Sequence, residues 1–526
     1  MSEVNVLADR LFAELLDHYP VMATLLGLDG DHEALTDHSV EAEQQFRVRL
    51  WAIVEAANEL EPQTLSERIT QGIALHEARS QADAIDSRHN EYLISANFRA
   101  PVPDLLNFLP KLPVDTPERQ AAYLERLRKI EGFLKPFVER YRTSIENGRT
   151  PVALLVEQAI ALVDRNLADL DAFDVVDGAR EVIDTVVKPA LENYRNVLQQ
   201  EVLPHGRDTE HAGLCWMPEG DAIYRKAMRA HTTVDVEPAE LHAIGLRQIE
   251  DLKREFAQYG EDVFDRLRND PALRHTDGQD LLDAARVAVA KAEAEAPKWF
   301  RVMPEQKCAI EAMAPSLSAQ VPPHYFPAAE DGSRPGTYFV NTKEPESRTW
   351  IEDEATAYHE AVPGHHFERA KGALLKDLPL LRRKVQISAF GEGWALYCER
   401  LADEMGLYSS DEARLGMLML DAMRAGRLVV DTGLHALGWS RQQAIDYLVE
   451  NTPMALLLIE SEVDRYLGEP GQALAYMVGR LKFDELRARA EAAGKDVRDF
   501  HEVVLSQGRL TLALLDEVVT DWLAES

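Results

Sequence analysis

Cysteine is scarce, with Cys215, Cys308 and Cys398 the only three in 526 residues. They are widely separated and no CxxC pair occurs, which excludes a disulfide framework and a cysteine-based zinc site; buried small apolar residues are the expected role. Long apolar runs are missing too. The longest, such as Met454 to Ile459, are far too short to span a bilayer. Positive charge is in short supply, with Lys+Arg 57 against Asp+Glu 90 and a net charge of −33. A field of that sign repels nucleic acid and anionic membrane surfaces, so neither is an expected partner. The N-terminus, Met1-Ser2-Glu3-Val4-Asn5, lacks a cationic region ahead of an apolar core, and the expected location is the cytoplasm. Repeats, low-complexity tracts and Pro- or Gly-rich linkers are absent. One catalytic unit over 1–526 is therefore expected, with approximate lobes at 1–300 and 301–526.

What is present is an apolar fraction of 46%, enough for a substantial core, and a pervasive helical period. In Val4-Asn5-Val6-Leu7-Ala8-Asp9-Arg10-Leu11-Phe12-Ala13-Glu14-Leu15-Leu16, apolar residues recur at spacings of three and four. Thr116-Pro117, Glu237-Pro238 and Ser440-Arg441-Gln442-Gln443 are helix starts by capping and first-turn proline. A mainly α fold follows. One region departs from it: Cys308–Met313, His324–Pro327 and Gly336–Asn341 are short, aromatic or β-branched, and bounded by Pro, Gly and Asp. They predict a small antiparallel β-sheet, with turn chemistry in residues 328–335.

Directly after it comes Tyr358-His359-Glu360-Ala361-Val362-Pro363-Gly364-His365-His366. In an HExxH helix two histidines four apart hold zinc and the intervening Glu is the general base. Here the fourth residue after His359 is Pro363, which lacks an N–H and clashes with the His359 carbonyl, so a plain α-helix cannot continue. A helix that bulges or widens by two residues would put His365 where the second ligand sits. His366 is the rival: it shares the face of His359 but stands roughly 10 Å along an undistorted helix. A zinc site also needs a third protein ligand. Gly391-Glu392-Gly393-Trp394 opens a helix that offers Glu392, and its flanking glycines suit close packing. Glu399, seven residues on, is a candidate supporting residue.

The segments His359-Glu360-Ala361-Val362-Pro363-Gly364-His365-His366, Gly391-Glu392-Gly393-Trp394-Ala395-Leu396-Tyr397 and Pro470-Gly471-Gln472-Ala473-Leu474-Ala475-Tyr476 together resemble the bacterial family called "domain of unknown function 885". That family is regarded as related to helical gluzincin metallopeptidases, among them thimet-type oligopeptidases and Taq-type carboxypeptidases. The resemblance spans most of the chain and implies a two-lobed zincin-like fold. It implies one Zn²⁺ on His359, His365 and Glu392, with metal-bound water activated by Glu360 and short peptides cut in a deep cleft. The departure is two extra residues between Glu360 and the second histidine. Tyr476 resembles the tyrosine that such enzymes bring to the developing oxyanion. Arg480, one helical turn on, could bind a peptide carboxylate. Substrates of zincin-like enzymes add as a strand beside a sheet edge, which assigns Tyr338 and Asn341 in Thr337–Asn341 to substrate binding. Two other readings are a metal-dependent hydrolase of a non-peptide amide or ester, and a non-catalytic helical metal-binding scaffold.

Overall fold

The computed structural model describes residues 2–97, 100–313 and 321–525. The mainly helical expectation holds, down to several starts. Ser2 caps the first helix, Glu3–His18, through the Asn5 N–H. Thr116 accepts from the Arg119 N–H ahead of Pro117–Arg128. Ser440 and Gln443 close a reciprocal capping box on Arg441–Asn451, satisfying two N–H groups that the helix leaves unpaired.

Two hydrophobic cores form among the described residues. The smaller draws on residues between Ile94 and Val202, around Phe133, Phe137, Tyr141 and Tyr194. The larger runs from Leu7 to Val519 and contains the surroundings of the histidine cluster. Its axis is Asp411–His435, a 25-residue helix buried on nearly every side. Cys398 is buried, whereas Cys215 and Cys308 are partly exposed, and all three are free thiols.

The small sheet is present with a different topology. Strands β1 (Ala309–Ala312), β2 (His324–Phe326) and β3 (Thr337–Val340) lie in the order β1-β3-β2. The β2–β3 pair is antiparallel, pairing Tyr325 with Tyr338, and its connection turns at Gly332 with φ 75°. The β1–β3 pair is parallel, with Ile310 beside Tyr338, so the all-antiparallel expectation is corrected. The reason is chain length: a parallel pair needs a long crossover, and the stretch from β1 to β3 is long enough to include β2 itself.

This topology removes the free edge assigned to β3. It is the central strand, paired on both sides. Tyr338 is buried in the core, and the buried Asn341 donates its Nδ2 to the Val321 carbonyl at 2.7 Å and accepts from the Lys343 N–H. Both residues hold the protein together at this point, and the strand-addition role predicted for them is withdrawn.

Candidate metal centre

Helix Asp353–Glu360 ends where Pro363 requires it to, and a new helix, His365–Leu374, begins two residues beyond the proline. The junction is closed by two unusually wide hydrogen bonds. Gly364 N–H donates to Tyr358 O at 3.0 Å and Phe367 N–H to Ala361 O at 3.1 Å. Each spans six residues where an α-helix spans four, so the two additional residues of the motif are looped out. Gly364 is required here, because a Cβ would lie 1.9 Å from the His359 carbonyl oxygen.

The third side chain arrives on Ser388–Glu404. Glu392 is its fifth residue, past the first turn in which the helix dipole favours acidic groups. That helix is pinned to the histidine junction by Trp394, whose Nε1–H donates to the Pro363 carbonyl at 2.9 Å. On another face it meets Ala475–Ala492 backbone to backbone: a Cβ on Gly393 would lie 2.5 Å from the Gly479 Cα. The close packing expected of these glycines is thus present.

The result is a convergent set. Glu392 Oε2 lies 3.6 Å from His359 Nε2 and 3.3 Å from His365 Nε2, and one ligand atom from each residue falls within 4.8 Å of the others. Ligand atoms about 2.0 to 2.1 Å from a tetrahedral zinc stand about 3.3 Å from one another. The donor set fits such an ion. His359 is 3% exposed, while the side chains of His365 and Glu392 retain 14% and 15% exposure.

His366 turns elsewhere. Its Nε2–H donates to the Gln306 carbonyl at 2.9 Å and its Nδ1 faces the Tyr325 hydroxyl at 3.3 Å, so both ring nitrogens are committed. Glu399, 1% exposed, accepts from His359 Nδ1–H at 2.8 Å. This bond engages Nδ1 and so directs Nε2 to the shared point. Arg424 backs Glu399 at 3.7 Å.

Charge follows the same geometry. Burial alone would lower the His359 pKa, but hydrogen bonds to Glu392 and Glu399 and the charge of Glu360 outweigh it and raise the imidazole to about 9. Burial would raise the Glu392 carboxyl, yet His365 and His359 hold it well below the usual carboxylate range. The carboxylates around His359 thus favour positive charge on its ring, and the two imidazoles favour the ionised form of Glu392.

Glu360 is 9% exposed and its Oε2 accepts the Tyr325 backbone N–H at 2.8 Å. Strand β2 therefore orients the carboxylate, a contact the sequence offered no sign of because it uses main chain. Tyr476 is partly exposed and its ring stacks near that of His359, with centroids 6.3 Å apart and planes at 19°. Arg480 does not face a substrate. Its guanidinium is taken by Asp421 and by Asp484, the latter at 3.1 Å, so the carboxylate-binding role predicted for it is withdrawn. Sequence reading also passed over Arg424 and Arg427. A signal existed: Asp421, Arg424, Arg427 and Asp431 recur at spacings of three and four in an otherwise apolar helix.

Among the described residues no helix is long and apolar enough to cross a membrane. No curated protein matches the chain. Solved structures do, among them the following two. The first, described as the "putative lipoprotein from Colwellia psychrerythraea", is 25% identical and superposes with a TM-score of 0.89, covering 100% of this chain and 99% of its own. The second, a "putative lipoprotein of unknown function from Shewanella oneidensis", is 14% identical with a TM-score of 0.74, covering 99% of this chain and 100% of its own, and speaks to the fold alone. The description of the Colwellia protein as a lipoprotein overturns the cytoplasmic location expected from the N-terminus, because it points to a membrane-anchored protein outside the cytoplasm. The family model for "Bacterial protein of unknown function (DUF885)" matches residues 20–519, and the chain belongs to that family.

Proposed function

We propose that this protein is a zinc-dependent peptidase acting on short peptides. One observation carries the reading: His359, His365 and Glu392 bring three donor atoms within 4.8 Å of one another, with Glu360 beside His359 and Glu399 behind it. A zinc ion held there would polarise a scissile carbonyl and acidify a water molecule. Glu360, oriented by the Tyr325 N–H, is the group that takes a proton from the attacking water and returns it to the leaving amine. Tyr476, next to His359, is the donor for the oxygen on which charge develops. The relation to helical gluzincin metallopeptidases implied by the motifs supports the same roles and a zincin-like two-lobed arrangement.

The test is metal analysis of the purified protein paired with a peptide-library assay on wild type and Glu360→Gln. Retained zinc with hydrolysis reduced by roughly 10² to 10⁴-fold supports the assignment, whereas unchanged hydrolysis in the variant would sink Glu360 as the base. Turnover confined to non-peptide amides or esters would select the other hydrolase, and metal without turnover the non-catalytic scaffold. The lipoprotein description of the Colwellia protein supports a site of action at a membrane outside the cytoplasm. Recovery of the native protein wholly in the soluble cytoplasmic fraction would overturn that placement.

A further inference from the structure

Arginine is expensive to bury, and a buried N–H without a partner forfeits its hydration with nothing in return. Two such groups stand beside the metal centre. Arg427 is 5% exposed and Arg424 8%. Arg427 Nη1 and Arg424 Nε have no hydrogen-bond partner among the described residues.

The remaining contacts leave Arg427 held and its fork incomplete. Its Nη2 and Nε donate to Glu462 Oε2 at 2.6 and 3.2 Å, and Nε also reaches the Tyr466 hydroxyl at 3.1 Å. Glu462 is shared with Arg465, at 3.0 Å. Arg424 meets the Leu420 carbonyl at 3.3 Å and Glu399 at 3.7 Å, and its guanidinium carbon lies 6.0 Å from the Tyr476 ring centroid. Arg427 and Arg465 share Glu462, while Arg424 stands near Glu399 and its charge acts on Glu352, in a chain whose overall charge is −33. Arg424 and Arg427 are rigidly placed, because both project from the long buried helix Asp411–His435, and Arg465 faces them from Leu456–Gly468.

The position relative to the metal centre gives the cluster its meaning. The Arg427 guanidinium carbon sits 4.3 Å from the Tyr476 ring centroid, and that ring is 6.3 Å from the His359 ring. Together these place the guanidinium within about 11 Å of His359, the length of about three extended residues. Tyr476 forms the partly exposed wall between the two.

Building on the peptidase reading above, we infer that Arg427, assisted by Arg424, is an anion subsite that holds the free C-terminal carboxylate of a peptide substrate. The bond cut then lies within the last two or three residues, which makes the enzyme an exopeptidase that trims short peptides from the C-terminus. Planar bidentate pairing with a carboxylate is what an incomplete arginine fork offers, and it explains why the N–H groups are buried unpaired.

Calorimetric titration separates this inference from the peptidase reading. N-acetyl-glycyl-glycine and its C-terminal amide are titrated into chelator-treated full-length wild type, Arg427→Gln and Arg427→Lys, with melting curves to establish folding. The free acid is expected to bind wild type at least about 10-fold more tightly than the amide. That preference disappears in Arg427→Gln and is partly kept in Arg427→Lys. Equal affinities, no binding by either compound, or a preference that appears only after zinc is restored would each overturn the subsite, the last because the carboxylate then sits on the metal. A preference that survives in a folded Arg427→Gln overturns it too. If no peptide is cleaved under any condition, the peptidase reading falls while the calorimetric result still decides whether Arg427 binds carboxylate.

Discussion

The Nδ1 of His359 donates to Oε1 of Glu399 at 2.8 Å, and the pair is almost wholly buried. A histidine fixed in this way cannot rotate its Nε2 away from the position shared with His365 and Glu392. Substituting Glu399→Gln is expected to reduce zinc affinity by roughly 10 to 100-fold, the usual cost of losing such a supporting carboxylate. Competition with a fluorescent chelator measures it; an affinity equal to wild type would refute the orienting role.

The two adjacent histidines should behave oppositely. His365→Ala removes a donor from the convergent set and is expected to lose more zinc affinity than Glu399→Gln. His366→Ala should leave the zinc stoichiometry at one and cost stability instead, because it orphans the Gln306 carbonyl bonded at 2.9 Å. Metal content and urea denaturation of both variants check this, and the reverse pattern would reassign the ligand.

Gly364→Ala should damage the centre without touching a ligand. The added methyl would lie 1.9 Å from the His359 carbonyl and 2.5 Å from that of Tyr358, so the junction between the two histidine helices must open. A loss of at least about 1 to 3 kcal/mol is expected from overpacking, together with most of the bound zinc. Retention of both in denaturation and dialysis experiments would show that the wide junction is not needed.

A pH effect on stability is expected from His435, which is not part of the candidate metal centre. His435 accepts the Leu214 N–H on Nδ1 and donates from Nε2 to the Tyr466 carbonyl, at 3.2 and 3.1 Å. Burial lowers its pKa from 6.5 to about 4. The folded state thus holds the ring neutral while the unfolded chain takes up a proton below pH 6.5. The contribution is fully present above 6.5 and is lost as pH falls from 6.5 to about 4, amounting to about 3 kcal/mol. In urea titrations at pH 7 and pH 4.5, His435→Gln should show a shallower decline than wild type; parallel declines would dismiss it as a contributor.

The site was largely legible because its logic is local. Pro363 and Gly364 announce a broken helix between two histidines, and glycines on either side of Glu392 announce a close approach. Each is a statement about backbone sterics that needs no knowledge of distant partners. Arg480 shows where that reasoning stops: its fate is settled by Asp421, 59 positions earlier in the chain. For Arg427 the spacing on Asp411–His435 marks a charged residue in a buried helix, but not its partner Glu462, which lies on another helix. The sheet was placed correctly and wired incorrectly, because β-branched runs specify strands but not which pair through a crossover.

The contact of Gly393 with Gly479 leaves no side chain between the helix bearing Glu392 and the helix bearing Tyr476. With backbone against backbone there is no packing layer to thicken or thin, so the spacing of these two groups is fixed by main-chain geometry and cannot drift through gradual changes in residue size. Redesign of this protein should therefore leave that crossing alone. The place to vary is the segment joining β2 to β3, where Ser333 and Gly332 are exposed and nothing stands within 4 Å of a Cβ built on Gly332.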